Sequence, residues 1–186
     1  MEYEGQICRG PMERASYMLP ISVGCSYNQC RFCTLFKHLT YRQLPLEQIE
    51  AELERVSAVG GNPKQVFLGD GNAFTAPTER LLFILDMVRR YFPACETVNM
   101  DATVHDILHK PSQELEQLSA AGVRTLYLGI ECGLDDVLEQ MHKGQTMDQA
   151  AEAIEKLHQA GMQYGAHMMT GISGKGRRLE NAQAFA

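Results

Sequence analysis

Three cysteines lie close together in one short segment of the chain. Cys25, Cys30 and Cys33 are separated by four and then two residues, between Gly24 and Cys33. Thiolates on one loop can bind three irons of a cubane cluster, and the lack of a fourth nearby cysteine leaves one iron without a protein ligand. An iron with an open coordination position can bind a substrate or a cofactor. The segment therefore predicts a reactive 4Fe-4S site.

A structural zinc ion is the alternative interpretation of the same cysteines. Structural zinc sites are closed by four ligands, so a fourth residue would have to come from elsewhere in the chain. The candidates are Cys8, His38, Cys95 and Cys132. Cys8 is also a candidate auxiliary ligand of an iron–sulfur cluster. The residues alone leave these alternatives open.

The cysteine segment follows the first of five short apolar runs that alternate with helical segments. Such alternation is typical of repeated β–α units around a parallel sheet. The predicted strands are Leu19–Val23, Gln65–Gly69, Glu96–Met100, Thr125–Ile130 and Gln163–Met169. The segments between these strands show the apolar periodicity of helices, and Thr146 with Gln149 forms a capping box at the start of the last long helix. The cysteines therefore lie at a carboxyl strand end, which is the functional face of barrel-like α/β folds.

Small and polar residues follow the later strands and would reach the same face. The candidates are Gly69, Asp70, Gly71 and Asn72 after the second strand, Asn99 and Asp101 after the third, Glu131 after the fourth, and Ile172 after the fifth. Glycines permit close approach of the backbone to a ligand. A carboxylate after a buried strand is costly unless it is paired, and an ammonium group or ribose hydroxyls would satisfy it.

Each of these candidates also has an ordinary structural interpretation. The Gly-Asp-Gly-Asn stretch is a common turn sequence. Glu131 would pair equally well with Arg124 or Lys143, while Asn99 and Asp101 would serve as turn or cap residues. An apolar residue such as Ile172 after a strand often belongs to the core.

Length and composition indicate a soluble protein with one main domain. The chain has 186 residues, 45% of them hydrophobic, and a formal net charge of −6. This charge argues against a broad nucleic-acid-binding surface. Neither a signal peptide nor a membrane-spanning run is present, so we expect a cytoplasmic protein without membrane contact. The predicted division is an N-terminal arm at 1–15 and a core at 16–186, and the final residues read as the start of a helix, which suggests a C-terminally incomplete core.

The cysteine segment and the ordered strand ends resemble the radical S-adenosylmethionine (radical SAM) superfamily. The resemblance is carried by Cys25, Cys30 and Cys33 with Phe32 before the last cysteine, and it extends from about residue 16 onward. The usual family spacing has three and then two residues between the cysteines, whereas this chain has four and then two. The stretches around Gly24–Cys33 and Gly69–Ala73 look similar to a branch related to oxygen-independent coproporphyrinogen oxidase and to tRNA-modifying members.

The resemblance implies a role for each candidate residue in cofactor binding. Phe32 would lie near the adenine of S-adenosylmethionine, and Ile172 would pack on it. The Gly69–Asn72 stretch matches the family motif that holds the methionine amino group, with Asp70 or Asn72 as its polar member. Glu131 would contact the methionine or ribose portion, and Asn99 is a further candidate for cofactor binding.

The implied fold is a partial TIM-like (β/α)6 barrel, and the implied protein is an oxidoreductase. Its 4Fe-4S cluster would cleave S-adenosylmethionine reductively to a 5′-deoxyadenosyl radical that abstracts hydrogen from a small-molecule or macromolecular substrate. An external donor such as flavodoxin or ferredoxin would reduce the cluster. The alternatives are a non-catalytic iron–sulfur or zinc module and an inactive truncated scaffold.

Overall fold

The fold is built on one sheet of five parallel strands. It is described from a computed structural model, which covers residue 4 and residues 8–184; residues 1–3 and 5–7 of the predicted arm and residues 185–186 of the predicted core lie outside the described residues. The strands are β1 (Tyr17–Pro20), β2 (Ser22–Val23), β3 (Arg42–Gln43), β4 (Gln65–Gly69), β5 (Thr97–Ala102), β6 (Val123–Glu131) and β7 (Gln163–Met168).

The strands of the five-stranded sheet follow the order β1-β4-β5-β6-β7, and every adjacent pair is parallel. Within the part of the chain that the structure describes, β1 and β7 form the two edges of this sheet. The predicted α/β fold with five parallel strands in an open, partial barrel is confirmed. The short strands β2 and β3 pair antiparallel in a ladder of their own, which the sequence did not predict.

Helices connect the strands as the apolar periodicity predicts. They are α1 (Leu46–Ala58), α2 (Thr78–Tyr91), α3 (Val104–His109), α4 (Ser112–Ala120), α5 (Asp135–Gln140), α6 (Met147–Gln159) and α7 (Arg178–Gln183). The predicted capping box of Thr146 and Gln149 begins α6. The short helix α3 was not predicted. No helix in the described ranges has the length and apolar character needed to cross a membrane.

The first predicted strand, Leu19–Val23, is divided in the structure. The backbone N–H of Ile21 still donates to the Gly69 carbonyl at 2.5 Å, but the Ile21 carbonyl accepts from the Leu44 N–H at 3.0 Å. The chain therefore changes partners at Ile21, from β4 on one side to the β3 segment on the other. An apolar run looks the same whichever partner it pairs with, so the sequence pattern did not reveal this change.

Alternate residues of the sheet face two different environments. One set packs beneath the helices in the main core; its strand members include Leu19, Leu68, Met100 and Leu128, each fully buried. The other set points to the inner face of the partial barrel, where Met18, Phe67 and Tyr127 form a separate small cluster. This separation follows from the two-residue repeat of side chains along a strand.

A buried carboxylate from the N-terminal segment ties that segment to the inner face. Glu13, at the end of the short 3-10 turn Pro11–Glu13, is only 3% exposed. Its Oε1 accepts hydrogen bonds from Asn99 Nδ2 at 2.7 Å and from Tyr127 Oη at 2.6 Å, and its Oε2 accepts from Ser16 Oγ. Burial and this contact with Glu13 raise the pKa of Tyr127, which therefore remains a donor. Part of the predicted arm is thus packed against the core.

Replacing Glu13 with alanine should destabilise the protein. The change would leave the Asn99 amide and the Tyr127 hydroxyl buried without their acceptor, at a cost of about 2–4 kcal/mol in the free energy of unfolding. Chemical denaturation followed by circular dichroism measures this loss. Glu54→Ala, on the exposed face of α1, is the matched control and should change the free energy by less than about 0.5 kcal/mol. Equal stability of the two variants would contradict the proposed anchoring role of Glu13.

Candidate active site

The three cysteines of the predicted cluster segment open into one cavity. Cys25, Cys30 and Cys33 are all partly buried free thiols, and each lines a cavity of about 400 Å³. Phe32 of the same loop lines it as well. The cavity lies at the carboxyl ends of the parallel strands, where their following loops meet.

Two polar residues after β4 hold the cysteine loop from one side. Asp70 Oδ2 accepts from the Gly24 N–H at 3.3 Å, while its Oδ1 accepts from the Gly71 N–H at 2.9 Å. Asn72 Nδ2 donates to Ser26 Oγ at 2.8 Å. The contacts with Gly24 and Ser26 each connect residues 46 positions apart in the sequence, so the loop conformation depends on the segment after β4.

The segment after α5 holds the same loop from the other side. Tyr27 Oη donates to the His142 carbonyl at 2.7 Å. The backbone N–H of Arg31 donates to the Met141 carbonyl at 2.9 Å, and its guanidinium donates to the Gln140 carbonyl at 3.1 Å. With contacts on both sides, the extra residue between the first two cysteines is accommodated in a loop that is well anchored at several points.

Gly71 brings the backbone of the β4 loop against the cysteine loop. A Cβ atom at this position would lie 2.6 Å from the Gly24 carbonyl oxygen and 2.9 Å from Cys25 Cβ. Its φ of +23° is also unfavourable for a residue with a side chain. Gly71 therefore permits a close approach that alanine would prevent, and it lines the cavity next to the cysteines.

Glu131 reaches the cavity from the end of β6 and forms a nearly buried ion pair with Lys143. Lys143 Nζ lies 3.8 Å from Glu131 Oε1. The side chain of Lys143 is 9% exposed, and that of Glu131 is 13% exposed. Burial raises the pKa of Glu131, and Lys143 partly opposes this shift. Gly129 makes room for the pair, since a Cβ there would lie 2.5 Å from Glu131 Oε1. The ion pair with Lys143 is one of the alternatives that the sequence left open.

Lys143 also faces the cysteine loop. Burial raises the pKa of the Cys30 thiol, and the positive charge of Lys143 acts against that shift. A cation beside a thiol favours the thiolate, which is the form that binds iron.

The inner end of the cavity contains residues that the sequence did not single out as a site. Tyr127 and His167 line it, with their rings stacked at a centroid distance of 5.6 Å. Asp101, for which the sequence left both a site role and a turn or cap role open, lines the cavity with them. Burial first, and then the negative charges of Asp70 and Glu13, raise the pKa of Asp101 to about 7. The two-residue repeat along β6, from Glu131 back to Tyr127, is the sequence signal that could have identified the tyrosine.

Several predicted cofactor residues lie outside the lining of this cavity. Asn99 is the third residue of β5 and not a strand end; its amide donates to Glu13, and its Oδ1 accepts from the Thr125 N–H at 2.9 Å. Because both polar atoms of the Asn99 side chain are hydrogen-bonded within the protein, a contact of Asn99 with the cofactor is unfavourable. Ile172 packs instead on a small cluster that contains Cys132 and Leu138.

The Gly69 and Asn72 positions support the site indirectly. A Cβ at Gly69 would lie 2.6 Å from Met18 Cε, so this glycine permits packing on the inner face. Asn72 is 1% exposed, and its amide nitrogen also donates to Asp106 Oδ2 at 2.7 Å. Its Oδ1 is buried and has no hydrogen-bond partner in the described part of the chain. Together with Ser26, these contacts make Asn72 a link between the cysteine loop and α3.

The donor set fits a cubane cluster better than a single zinc ion. Among the residues that the structure describes, no three or more His, Cys, Asp or Glu side chains are grouped closely enough to hold one metal ion. A structural zinc site requires four ligands around one ion, whereas the three thiolates of a cubane each bind a different iron. Three thiols of one loop that share one cavity meet the second requirement.

The remaining cysteines are engaged elsewhere, except for one. Cys132 Sγ donates to Asn181 Oδ1 at 3.1 Å, and Cys95 Sγ donates to the Thr97 carbonyl at 3.5 Å near the start of β5. Cys8 does line the cavity, and the negative charges that raise its pKa, after burial, include Asp101 and Asp70.

Comparison with known proteins identifies relatives across most of the chain. The family model described as the radical SAM superfamily matches residues 19–184. The heme chaperone HemW of Bacillus subtilis (strain 168) is 24% identical over 153 residues, which are 78% of this chain and 40% of HemW. The similarity to HemW, together with the similarity to the structure of coproporphyrinogen III oxidase (HemN) described in the next paragraph, supports the predicted branch of relatives of that oxidase. A relation to tRNA-modifying members stays a prediction.

Solved structures show the same fold in longer proteins. The cobalamin-dependent S-adenosylmethionine radical enzyme OxsB, with aqua-cobalamin bound, has a TM-score of 0.70 at 20% identity, over 90% of this chain and 25% of OxsB. Coproporphyrinogen III oxidase (HemN) from Escherichia coli, a radical SAM enzyme, has a TM-score of 0.68 at 15% identity, over 84% of this chain and 37% of HemN. The chain thus spans less than half the length of these relatives.

Asp101→Asn should stabilise the protein increasingly as the pH rises. The folded state raises the pKa of Asp101 from its ordinary value of 3.8 to about 7, so folding favours the protonated carboxyl and loses stability as the pH rises through this window. The advantage of the variant over the wild type should grow by about 2–3 kcal/mol between pH 5 and pH 8. Urea denaturation at several pH values measures it. Asp86→Asn, at an exposed position on α2, is the control, and a pH-independent difference for Asp101→Asn would contradict the burial argument.

Proposed function

Because the chain belongs to the radical SAM superfamily, we propose that it forms the catalytic core of an enzyme that binds a 4Fe-4S cluster and S-adenosylmethionine in the cavity described above. The observation that carries this proposal is the position of Cys25, Cys30 and Cys33, which open into the same cavity as Gly71 and Glu131. This family uses a 4Fe-4S cluster and S-adenosylmethionine as its cofactors. The activity of the whole protein is part of the proposal, since the relatives are more than twice as long.

The cysteine thiolates would hold three irons and leave the fourth for the cofactor. When bound, the reduced cluster would supply one electron to the sulfonium of S-adenosylmethionine, whose bond from sulfur to C5′ would break to give methionine and a 5′-deoxyadenosyl radical able to abstract hydrogen from a substrate. The chain contributes the conformation of the ligand loop. Asp70 and Asn72 fix that loop on one side, and Tyr27 fixes it on the other.

Carboxylates near the loop would bind the methionine portion of the cofactor. Glu131 forms only a long ion pair with Lys143, so its oxygens retain capacity for an ammonium group or ribose hydroxyls. Both oxygens of Asp70 accept from backbone N–H groups, yet each has a second lone pair. Asp70 can therefore hold the loop and accept a hydrogen bond from the cofactor amino group at the same time.

Apolar and aromatic residues would protect the reaction from water. Phe32, Leu35 and Phe36 of the cysteine loop line the cavity, and Tyr127 closes its inner end. Exclusion of water from such a site prevents side reactions of a reactive species. Phe32 is also the residue that we assign to the adenine ring.

The proposed chemistry also defines the surroundings that the protein needs. One electron must come from outside, and a small carrier such as flavodoxin or ferredoxin would deliver it. A reducing compartment keeps thiols available for iron, so we place the protein in the cytoplasm and classify it as an oxidoreductase. The substrate is a small molecule or a macromolecule.

Cys30→Ala should lose both the cluster and cofactor cleavage. After anaerobic reconstitution with iron and sulfide, and addition of dithionite and S-adenosylmethionine, the wild type should form 5′-deoxyadenosine, because its three thiolates are in place. The variant should contain less iron and sulfide and form no 5′-deoxyadenosine. Cys95→Ser is the matched control, since Cys95 lies near the start of β5, away from the cavity, and should behave as the wild type. Iron binding that survives loss of Cys30 but fails on loss of Cys95 would overturn the ligand assignment.

Glu131→Gln should weaken S-adenosylmethionine binding while the cluster remains intact. Loss of one charge-assisted hydrogen bond predicts an affinity decrease of about tenfold, measured by equilibrium dialysis. Glu152→Gln, at an exposed position of α6, is the control. Unchanged affinity would remove Glu131 from the cofactor site. An equal loss in Lys143→Met would mean that Glu131 acts only through the ion pair.

A further inference from the structure

A partly buried carboxylate on α3 is connected to the cysteine loop through a single side chain. Asp106 Oδ2 accepts from Asn72 Nδ2 at 2.7 Å, and the same Nδ2 donates to Ser26 Oγ at 2.8 Å. Ser26 follows Cys25 directly in the chain. The Asn72 amide therefore joins Asp106 to the first of the four residues that separate Cys25 from Cys30.

Asp106 determines the orientation of that amide. An ionised carboxylate only accepts hydrogen bonds, so it must face the NH2 group of Asn72 and not its carbonyl oxygen. A reversed amide would place Asn72 Oδ1 against Asp106 Oδ2, which are both acceptors. The observed orientation leaves Asn72 Oδ1 buried without a partner in the described part of the chain, which is unfavourable. The contact with the charged carboxylate offsets this cost and keeps the NH2 group directed at Ser26.

Two threonines hold Asp106 itself in place. Thr103 Oγ1 donates to Asp106 Oδ2 at 2.5 Å, and Thr75 Oγ1 donates to Asp106 Oδ1 at 3.1 Å. Thr103 is also the N-cap of α3, since its Oγ1 accepts from the Asp106 N–H at 3.1 Å. The three groups that donate to the carboxylate are neutral, and the negative charge of the acceptor strengthens their hydrogen bonds. Asp106 is thus a fixed point to which the Asn72 amide is attached.

We propose that Asp106 is a positioning residue, which fixes the first part of the cysteine loop through Asn72 and Ser26. The inference rests on the proposed function for the cluster that the loop would hold, and it adds a residue far along the chain on which the conformation of the loop depends. The stretch between Cys25 and Cys30 is one residue longer than the usual family spacing. A hydrogen bond at the start of this stretch limits the conformations that the additional residue allows.

Two substitutions at Asp106 separate its hydrogen bonds from its charge. Asp106→Ala removes the contact with Asn72. In Asp106→Asn, the new carbonyl oxygen can accept from Asn72 and Thr103, while the new NH2 group can donate to Thr75 Oγ1, so this variant should preserve the link. Thr75→Val is the matched control, since it removes one donor from the same carboxylate and leaves the contact between Asn72 and Ser26 in place.

The first measurement uses the metal-free full chain under anaerobic conditions. Mass spectrometry follows the rate at which iodoacetamide alkylates Cys25. Loss of one hydrogen bond predicts a rate about fivefold higher in Asp106→Ala and in Ser26→Ala. The rate should change by less than about twofold in Asp106→Asn and in Thr75→Val, which keep the link. The buried Cys132 is the internal reference, because its unchanged alkylation shows that global unfolding is not the cause.

A double variant tests whether Asp106 acts through Ser26. The two alanine substitutions break the same link, so their combination should raise the Cys25 alkylation rate about fivefold and not about 25-fold. The second measurement uses the chain reconstituted with iron and sulfide. The rate at which a chelator removes iron should follow the same order among the variants, because the loop that holds the ligands is loosened to the same extent.

The outcomes distinguish a positioning role from a general effect on stability. Multiplying effects in the double variant, an Asp106→Asn variant that behaves as Asp106→Ala, or wild-type rates in Ser26→Ala would each overturn the proposal. Ser26 is exposed, so its variant should fold, and Asp106→Ser replaces Asp106→Ala if the latter does not fold. A chain that shows the expected alkylation pattern but binds no cluster would contradict the proposed function and leave the role of Asp106 in place.

Discussion

The parallel alignment of five strands is the constraint on which the rest of the structure depends. Because all five point the same way, the loops that follow β1, β4, β5 and β6 must emerge at one edge of the sheet. Residues as distant as Cys25, Gly71, Asp101 and Glu131 meet in one cavity for this reason. The helices cover the opposite side of the sheet, so the inner face remains available for polar groups.

Within this frame, the cysteine loop has little structure of its own and takes its conformation from its neighbours. Asp70 and Asn72 contact it from the β4 side, and residues 140–142 contact it from the α5 side. Gly71 is required where the two backbones meet, since a side chain would collide with Gly24 and Cys25. A loop held in this way can tolerate an additional residue between its first two cysteines, because its ends and its middle are fixed separately.

The inner face combines a stabilising and a destabilising carboxylate a short distance apart. Glu13 is fully hydrogen-bonded and ties the N-terminal segment to β5 and β6. Asp101 has no such partners among the residues that the structure describes, and it lies in the field of other acids, which lowers stability when it is ionised. A residue that costs stability and faces a cavity is typical of a binding or catalytic site. Glu13 therefore stabilises the fold, whereas Asp101 remains able to bind a ligand in the cavity.

The sequence by itself determined the features that depend on local order along the chain. Cysteine spacing predicted a cluster loop, which stays a proposal, whereas apolar periodicity identified the five strands and most helices, and the Thr146 capping box was read correctly. Only the tertiary structure decided which polar groups remain free. Asn99 and Asp101 occupy the same face of β5, yet Asn99 is satisfied by Glu13, 86 residues away, and Asp101 is not. Strand periodicity fixes the face on which a side chain lies, but the partner that reaches it comes from a distant segment, which only folding brings into contact.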